Sequence, residues 1–325
     1  MRVGLIGCGL VGRKRAAAVA ATGHHLAVVY DRDPAAAAAL AASSGATVAR
    51  NATALVAEPL DAVIVATAHD ALPLLARQAM EAGKHVLLEK PAGRRAAEVL
   101  PVAEAARRLG RIAKVGFNHR FHPALQQAHG IVAGGGLGPL LHIRGRYGHG
   151  GRPGYEQEWR CQPEISGGGE LLDQGSHLID LARWFMGDLT LEYAATPSLF
   201  WPAAVEDNAF LALRARGGGM AWLHAGWTEW KNLFSLEICG RDGKLAVDGL
   251  GGSYGTEKLT HYRMLPQMGP PETTSWEYPF PDTSWELEFA NFAAAIAGHG
   301  LACGDIEDAV ALHRITDQAY GRDTP

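Results

Sequence analysis

Short apolar runs and longer stretches of helical periodicity alternate along the first third of the chain. The apolar runs that predict buried strands stand at 2–6, 26–30, 47–48 (the weakest), 62–66, 85–88 and 112–116. The stretches that predict helices lie between them, at about 10–22, from 34 onward, at 72–82 and at 94–109. Strands that alternate with helices at this spacing indicate an α/β fold with a parallel, doubly wound sheet.

The pattern changes after about residue 118. One helix is predicted at 123–132, and the predicted strands then follow one another at 140–147, 209–215, 220–227, 234–238 and 244–248. Runs of strands without intervening helices favour an open, mainly antiparallel sheet in an α+β domain. The segment 249–283 is rich in Gly, Pro and Thr and is predicted to be a long loop, and two helices at 285–297 and 305–320 close the sequence.

Composition and charge narrow the class of protein. Of the 325 residues, 47% are hydrophobic and 20% are charged, which is typical of a globular protein with room for two cores. A net charge of −4 argues against a nucleic-acid or anionic-membrane partner, and no apolar run has the length of a membrane span. The four cysteines are scattered, which favours a reducing, cytoplasmic location and argues against a disulfide framework or a zinc site, so no metal is expected.

A glycine motif follows the first predicted strand and opens the first helix. It consists of Gly7, Cys8, Gly9, Leu10, Val11 and Gly12. Such a motif permits a tight turn and a close approach of backbone amides to a pyrophosphate, so we predict a dinucleotide site here. Asp31 ends the next strand, where a carboxylate would bind ribose hydroxyls and favour NAD, while Arg32 after it leaves NADP possible. The basic trio Arg13-Lys14-Arg15 is interpreted as a solvated helix face.

A lysine, Lys90, stands just after the end of a predicted buried strand. The buried strand 85–88 gives way abruptly to Glu89-Lys90-Pro91. Ligands of open α/β sheets bind outside the carboxyl ends of the strands, and Lys90 stands at such an end. The ammonium is therefore either a solvated strand end or a group that reaches into an active site.

A candidate acid–base pair lies on a predicted helix that begins near residue 171. Asp173 and His177 are four residues apart and so share a helix face, which fits either a local hydrogen bond or a catalytic dyad. Gly175 between them weakens the helix, which suggests the close approach of a ring. Hydride transfer to a nicotinamide requires one proton to move, and we expect His177 to accept it, Asp173 to orient His177, and Lys90 to polarise the reacting oxygen.

Three motifs, in this order and spacing, resemble those of the glucose–fructose oxidoreductase / inositol dehydrogenase / MocA family. They are Gly7–Gly12, Glu89-Lys90-Pro91 and Asp173-x-Gly175-x-His177. The resemblance implies a Rossmann domain over 1–118 and a substrate-binding and oligomerisation domain over 119–325, whose closing helix at 305–320 returns to the first domain. It also implies catalytic or substrate-contacting roles for Lys90, Asp173 and His177, a cis Lys90-Pro91 peptide, and a homodimer or homotetramer formed through the second sheet. The remaining cofactor contacts are expected at Glu89, Lys90, Thr67, Ala68 and His69. The family often has Thr-Pro-Asn where this chain has Thr67-Ala68-His69.

Residues of a predicted substrate segment precede the catalytic helix. Arg152, Tyr155, Trp159 and Arg160 combine aromatic faces with guanidinium groups, which suits either sugar recognition or a plain surface loop. Asn118 is expected to line the same cleft.

The function predicted from the sequence is an NAD(P)-dependent oxidoreductase acting on a secondary alcohol or ketone of a sugar, sugar nucleotide or cyclitol. Two alternatives stay open. One is a regulator that binds NAD(P) without catalysis. The other is a redox-neutral, glycosidase-like enzyme that holds its NAD tightly.

Overall fold

The computed structural model describes residues 1–323, which form two compact units. The first unit comprises Met1–Asn118 and Trp285–Arg314, and the second comprises His119–Ser284 and Ile315–Asp323. The segment 285–314 thus belongs with the first unit, and the family resemblance implied a second domain over 119–325 whose closing helix at 305–320 returns to the first. Within residues 1–323, no helix has both the length and the apolar character needed to cross a membrane.

A six-stranded parallel sheet forms the centre of the first unit. Its strands are β1 (Arg2–Ile6), β2 (His25–Tyr30), β3 (Thr47–Val48), β4 (Ala62–Val65), β5 (His85–Leu88) and β6 (Ala113–Val115). The helices that follow them are α1 (Leu10–Ala21), α2 (Pro34–Ser44), α3 (Ala52–Val56), α4 (Leu72–Glu81) and α5 (Ala96–Leu109). The strand order β3-β2-β1-β4-β5-β6 confirms the predicted doubly wound α/β sheet, because it reverses direction at β1.

Local chemistry explains where α2 begins and ends. Asp33 caps α2 by accepting a hydrogen bond from the Ala35 amide at 2.9 Å, and Pro34 occupies the first helical position, where no amide proton is needed. The helix ends at Gly45, which adopts φ +74°.

The register of the sheet places the predicted ligand-binding segments side by side. Ile6 at the end of β1 pairs with Tyr30 at the end of β2 and with Val65 at the end of β4. Val65 in turn pairs with Leu88 at the end of β5. The glycine motif, Asp31, the Thr67 segment and Lys90 therefore all follow strands that end at the same edge of the sheet.

The second unit is built on an eight-stranded sheet. After a short 3-10 helix at Asn118–Phe121, the elements are α6 (Pro123–Ala133), β7 (Leu140–Gly148), 3-10 helices at Tyr155–Gln157 and Trp159–Cys161, α7 (Pro163–Ser166), α8 (Gln174–Met186), β8 (Leu189–Ala195), β9 (Asn208–Ala215), β10 (Met220–Gly226), β11 (Leu233–Gly240), β12 (Gly243–Asp248), β13 (Glu257–Arg263) and β14 (Glu272–Tyr278). The closing helices are α9 (Ser284–Ile296) and α10 (Ile306–Ala319). In the order β14-β13-β12-β11-β7-β10-β9-β8 only β7 and β10 pair in parallel, which confirms the mainly antiparallel sheet.

Strands β13 and β14 correct the prediction of a long loop over 249–283. Both pair in regular antiparallel register, and β14 is the edge strand of the sheet. Its residues Glu272 to Ser275 are exposed, so it carries no alternation of apolar and polar side chains that would reveal a strand. Strand β8, at the opposite edge, was missed for the same reason: Thr190, Glu192 and Tyr193 are exposed.

Helix α8 covers one face of this sheet. Gly145 on β7 makes the close packing possible, since a Cβ atom there would lie 3.1 Å from both Leu178 of α8 and Leu223 of β10. The other face carries exposed side chains, among them Arg144, Arg146 and Trp222. The sheet thus fixes the position of α8, which carries His177.

Candidate active site

The glycine motif forms a tight turn with one open side. Gly7 adopts φ +100°, and a Cβ atom there would lie 2.2 Å from the carbonyl oxygen of Ala66. A Cβ atom on Gly12 would lie 2.0 Å from the carbonyl oxygen of Gly7, so both positions require glycine. By contrast, a Cβ atom on Gly9 would meet no atom within 4 Å. Gly9 is the N-cap of α1, and this open side at a helix N-terminus suits a dinucleotide pyrophosphate.

Asp31 is held firmly beside this turn. Its carboxylate accepts hydrogen bonds from the Cys8 amide at 2.6 Å and from the Asp33 amide at 2.9 Å. A carboxylate has about four lone-pair sites, so two are left to accept ribose hydroxyl protons. Burial, together with the Asp31 charge, raises the pKa of the Cys8 thiol to about 12, so Cys8 stays a thiol at neutral pH. The turn and the carboxylate fit the adenosine half of NAD.

The other predicted cofactor residues differ in their exposure. Leu10 and Arg32 are exposed, Val11, Thr67 and Ala68 are half-buried, and His69 is buried. Thr67 comes two residues after the end of β4, and its hydroxyl donates to the Ala68 carbonyl oxygen at 3.2 Å. The Ala66 carbonyl that excludes a side chain at Gly7 precedes this segment, so the glycine turn and the start of the Thr67 segment are in contact.

Lys90 lies half-buried at the same sheet edge, after the buried Glu89. The Lys90-Pro91 peptide is cis, as predicted. Arg15 corrects the interpretation of the basic trio as a solvated face: Arg13 and Lys14 are exposed, but Arg15 is fully buried and its Nε donates to Glu89 at 2.5 Å. Helix α1 turns this third basic residue toward the sheet.

The acid–base pair of the second unit stands at the start of α8. Asp173 is the N-cap of the helix and His177, which is buried, lies one turn further along. The chain's own atoms crowd Gly175, because a Cβ atom there would meet the Glu170 carbonyl oxygen at 3.2 Å and Leu171 at 3.3 Å, and the approach of a ring to Gly175 stays a prediction. Its amide donates to that Glu170 carbonyl oxygen at 2.8 Å. The tight entry of the chain into α8 therefore leaves little space for a side chain at position 175.

An aromatic shell surrounds His177 within the second unit. The His119 ring stacks on the His177 ring, with centroids 3.6 Å apart and planes inclined by 17°. Tyr147 on β7 meets both rings edge-on, at 5.1 Å from His119 and 6.0 Å from His177. Such packing leaves the His177 imidazole little freedom to rotate.

Tyr147 and Tyr254 remain protonated in this setting. Burial raises the pKa of Tyr147 well above its usual range, and Tyr254, Asp173 and Glu170 add to the rise. Burial also raises the pKa of Tyr254, although hydrogen bonds from Tyr147 and from Gln174 oppose the rise. Both phenols can therefore donate hydrogen bonds at any working pH.

The two arginines of the predicted substrate segment, Arg152 and Arg160, each lie close to a carboxylate. Arg160 lies 3.7 Å from Asp173 and 3.4 Å from Glu158, and Arg152 is paired with Glu158 as well. His149 lies 3.7 Å from Glu170. Burial by itself would lower the pKa of His149, but Glu170 and then Asp173 outweigh it, so that the pKa is raised.

The aromatic residues of this segment differ in their surroundings. Tyr155 is buried in a cluster with Cys161, Val205 and Trp227, and its ring meets the Trp227 ring edge-on at 4.9 Å. Trp159 is half-buried, and the guanidinium of Arg160 lies 4.7 Å from its ring centre. Asn118, the last residue of the first unit's N-terminal segment, is buried.

The triple glycine before α8 is held by a buried glutamate. The Glu206 carboxylate accepts hydrogen bonds from the amides of Gly169 at 2.9 Å and Leu171 at 3.1 Å, and from the Tyr320 hydroxyl at 2.6 Å. A Cβ atom on Gly168 would lie 2.1 Å from the Tyr320 oxygen, and one on Gly169 would lie 2.0 Å from the Glu206 carbonyl oxygen. The glycines therefore permit the close packing that sets the position of Asp173.

Sequence reasoning did not single out Tyr147, His149, Glu170 or Tyr254. Tyr147 had a usable signal, since it continues the buried face of β7 after Ile143 and Gly145. His149 and Tyr254 had none, because loops bring them to the site from regions without periodicity.

Comparisons with known proteins agree with this architecture. Residues 1–117 match a family model described as an oxidoreductase family with an NAD-binding Rossmann fold, and residues 125–246 match the GFO/IDH/MocA C-terminal domain. Inositol 2-dehydrogenase 2 of Saccharopolyspora erythraea is 33% identical over 226 residues, which cover 67% of this chain and 64% of that protein, just under two thirds of its length. The 1,5-anhydro-D-fructose reductase of Ensifer adhaerens is 29% identical over 95% of this chain and 92% of its own.

A solved structure, levoglucosan dehydrogenase in complex with NADH, superposes with a TM-score of 0.89 at 24% identity, covering 100% of this chain and 99% of that one. At this identity the likeness shows the fold. The two family models together span most of the chain, from residue 1 to a point within β12. The chain therefore belongs to the Gfo/Idh/MocA oxidoreductase family, and its first unit is an NAD-binding Rossmann domain.

Proposed function

We propose that the protein is an NAD-dependent dehydrogenase or reductase that acts on a secondary alcohol or ketone of a ring-shaped polyol. The observation that carries the proposal is the start of α8, where a buried imidazole, His177, lies one helical turn after Asp173. A site that only sensed NAD would need the glycine turn and Asp31, but no acid–base pair. Three relatives whose names specify inositol, 1,5-anhydrofructose or levoglucosan support the choice of substrate class.

Each of the three predicted catalytic residues receives one role. His177 accepts the alcohol proton during oxidation and returns it during reduction. Asp173 orients the imidazole and stabilises its charged form. Lys90 donates a hydrogen bond to the reacting oxygen and so stabilises the negative charge that develops there. The bound NAD supplies the hydride acceptor.

The charges of the second unit favour a neutral substrate over a sugar phosphate or a nucleotide sugar. An anionic group would need unpaired cations, yet Arg152, Arg160 and His149 already face carboxylates. Asp173 and Glu170 also contribute to the raised pKa of Tyr147, after burial and Tyr254, and their charges would repel an anionic substrate group nearby. The phenols and carboxylates offer hydrogen-bond partners of both kinds to hydroxyl groups.

Cofactor preference follows from Asp31. The fixed carboxylate would accept hydrogen bonds from the ribose hydroxyls and repel a 2′-phosphate, so we propose a preference for NAD. Arg32 is exposed beside it, and for that reason some activity with NADP is expected.

The open face of the second sheet is proposed to form the subunit interface. It carries a concavity of about 550 Å³ whose lining includes Trp222, Arg144 and Arg146. Trp222 is 51% exposed, and tryptophan and arginine are the side chains most enriched at protein interfaces. A homodimer or homotetramer through this face, and a cytoplasmic location, stay predictions.

The proposal is tested by following NADH formation with a panel of cyclitols, anhydrosugars, glycosides, sugar phosphates and nucleotide sugars. We expect stoichiometric NADH from one or more neutral ring polyols and weaker turnover of any phosphorylated counterpart. A protein that binds NAD but oxidises none of them would contradict the proposal. NAD that stays bound through purification without net NADH release would instead identify the redox-neutral alternative.

A further inference from the structure

A buried ion cluster lies directly behind the Lys90 turn of the first unit. Arg15 of α1 is fully buried, its Nε donates to the Glu89 carboxylate at 2.5 Å, and its Nη1 donates to Glu288 of α9. The guanidinium carbon lies 4.5 Å from the ring centre of Trp285. One guanidinium therefore joins the helix that begins at the glycine turn, the residue before Lys90, and a C-terminal helix.

Backbone packing fixes this contact. A Cβ atom on Gly116, just after β6, would lie 2.6 Å from Arg15 Nη2 and 2.9 Å from Glu89 Oε2. The backbone after β6 thus lies close against the pair and limits the space in which both side chains can move. The orientation of the Glu89 side chain therefore depends on the position of Arg15. The start of the Lys90-Pro91 peptide, which follows Glu89, depends on it as well.

A buried ion cluster is by itself weak evidence for fold stability. Replacing a buried ion cluster by apolar side chains of similar volume is often neutral or stabilising, because charges are costly to remove from water. Here two carboxyl groups share one guanidinium, and burial raises the pKa of Glu89 although Arg15 opposes the rise. What an apolar core would not supply is a directional link between α1 and the Lys90 turn.

We propose that Arg15 is a positioning residue that holds Lys90 through Glu89 and thereby couples dinucleotide binding at the start of α1 to the placement of Lys90. The chemical role of Lys90 rests on the proposed function, but the coupling itself is a property of the first unit. Arg15 touches neither the substrate nor the reacting atoms in this account.

The two carboxylates provide a matched pair of variants. Glu89→Gln and Glu288→Gln each replace one carboxyl group of the cluster by an amide and leave Arg15 beside the other carboxyl group. Only Glu89 adjoins Lys90. Arg15→Lys keeps the positive charge but loses the planar fork that binds two carboxylates. Lys14→Met is the control for the aromatic contact, since Lys14 is exposed and lies 5.0 Å from the same Trp285 ring.

The main readout needs no sugar substrate. Acylation of Lys90 by a water-soluble anhydride is followed by mass spectrometry with and without NADH, and NADH affinity is measured in parallel. In the wild type we expect NADH to slow acylation of Lys90. In Arg15→Lys and Glu89→Gln this protection should be largely lost while NADH affinity stays within about threefold, whereas Glu288→Gln and Lys14→Met should behave like the wild type.

Turnover gives the second readout. We expect kcat to fall by about ten- to a hundredfold in Arg15→Lys and Glu89→Gln with a nearly unchanged KM, because a misplacement near 1 Å has effects of this order. The double variant should be no worse than the poorer single variant, since both changes break one contact.

Several results would overturn the proposal: no NADH protection of Lys90 in the wild type, equal damage from Glu288→Gln and Glu89→Gln, or losses that follow only the folded fraction in thermal unfolding. If Arg15→Lys does not fold, the comparison of the two Glu→Gln variants still decides. If no sugar is oxidised by any form, the proposed function fails, while the acylation result still tests the coupling.

Discussion

At the scale of single residues, the site depends on side chains whose protonation is set by specific neighbours. Burial keeps Tyr147 and Tyr254 protonated, and a thiol near the cofactor turn, Cys8, is held as a thiol by burial and by Asp31. For His149 burial acts in the opposite sense and would lower the pKa, but Glu170 overcomes this effect and the pKa of the imidazole is raised. The imidazolium–carboxylate pair is therefore favoured in the folded state.

The pH dependence of stability tests this pair. A raised pKa in the folded state means that the stabilisation is fully present below the ordinary histidine pKa of about 6.5 and is lost as the pH rises through the raised value. We expect His149→Gln to lower the Tm most near pH 6 and progressively less toward pH 9, as measured by thermal unfolding across this range. A Tm difference that is constant or grows with pH would contradict the pairing.

Residue spacing made some of these groups predictable and concealed others. Asp173 and His177 share one helix face, so four positions of sequence suffice to pair them. The stack of His119 on His177 joins residues from separate elements, and no local pattern encodes such a contact. Arg15 was predicted to be solvated because a run of like charges usually is. Its neighbours Arg13 and Lys14 are indeed exposed, but Arg15 is buried.

At the scale of elements, the segment 167–169 determines how the chain enters α8. Its glycines were visible in the sequence, but their reason was not, since the atoms that exclude side chains come from Glu206 and Tyr320. Gly167 adopts φ +83°, Gly168 faces the Tyr320 hydroxyl, and Gly169 packs on the Glu206 backbone. The position of Asp173 thus depends on contacts with distant parts of the second unit.

Substituting Gly169 tests this dependence. In Gly169→Ala the new methyl group would lie 2.0 Å from a backbone oxygen, which cannot rotate away, so we expect a loss of about 2–3 kcal/mol in the free energy of unfolding. Gly217→Ala, in the turn between β9 and β10, is the control: its Cβ would meet nothing within 4 Å, and a change within about 0.5 kcal/mol is expected. Urea unfolding measures both. Equal stabilities of the two variants would show that the glycine packing is not a constraint.

At the scale of the whole molecule, the parallel sheet was predictable almost strand by strand, whereas the second sheet was predictable only in its centre. In central strands such as β10 and β11, buried positions alternate with half-buried or exposed ones. The edge strands β8 and β14 bury few side chains, so hydrophobic periodicity could not reveal them. The sheet is therefore wider than the sequence indicated, and so is the face proposed as an interface.

A charged substitution on that face tests the proposed assembly. We expect the wild-type chain to be a dimer or tetramer by size-exclusion chromatography with light scattering, and Trp222→Glu to shift it to the monomer, because a buried unpaired carboxylate is costly. Leu301→Glu is the control, since Leu301 is 91% exposed and lies outside the sheet. A monomeric wild type, or an unchanged mass for Trp222→Glu, would contradict the interface.

In the proposed reaction on a neutral ring polyol, His177 moves the proton and Lys90 stabilises the reacting oxygen during hydride transfer. The most direct measurement is NADH formation from the best substrate of the panel by the wild type, His177→Asn and Lys90→Met, with NAD affinity determined for each. We expect kcat to fall by about 10²- to 10⁴-fold in His177→Asn, and strongly in Lys90→Met, while NAD binds within about threefold of the wild type. Full turnover by either variant with normal NAD binding would contradict the catalytic role proposed for the substituted residue.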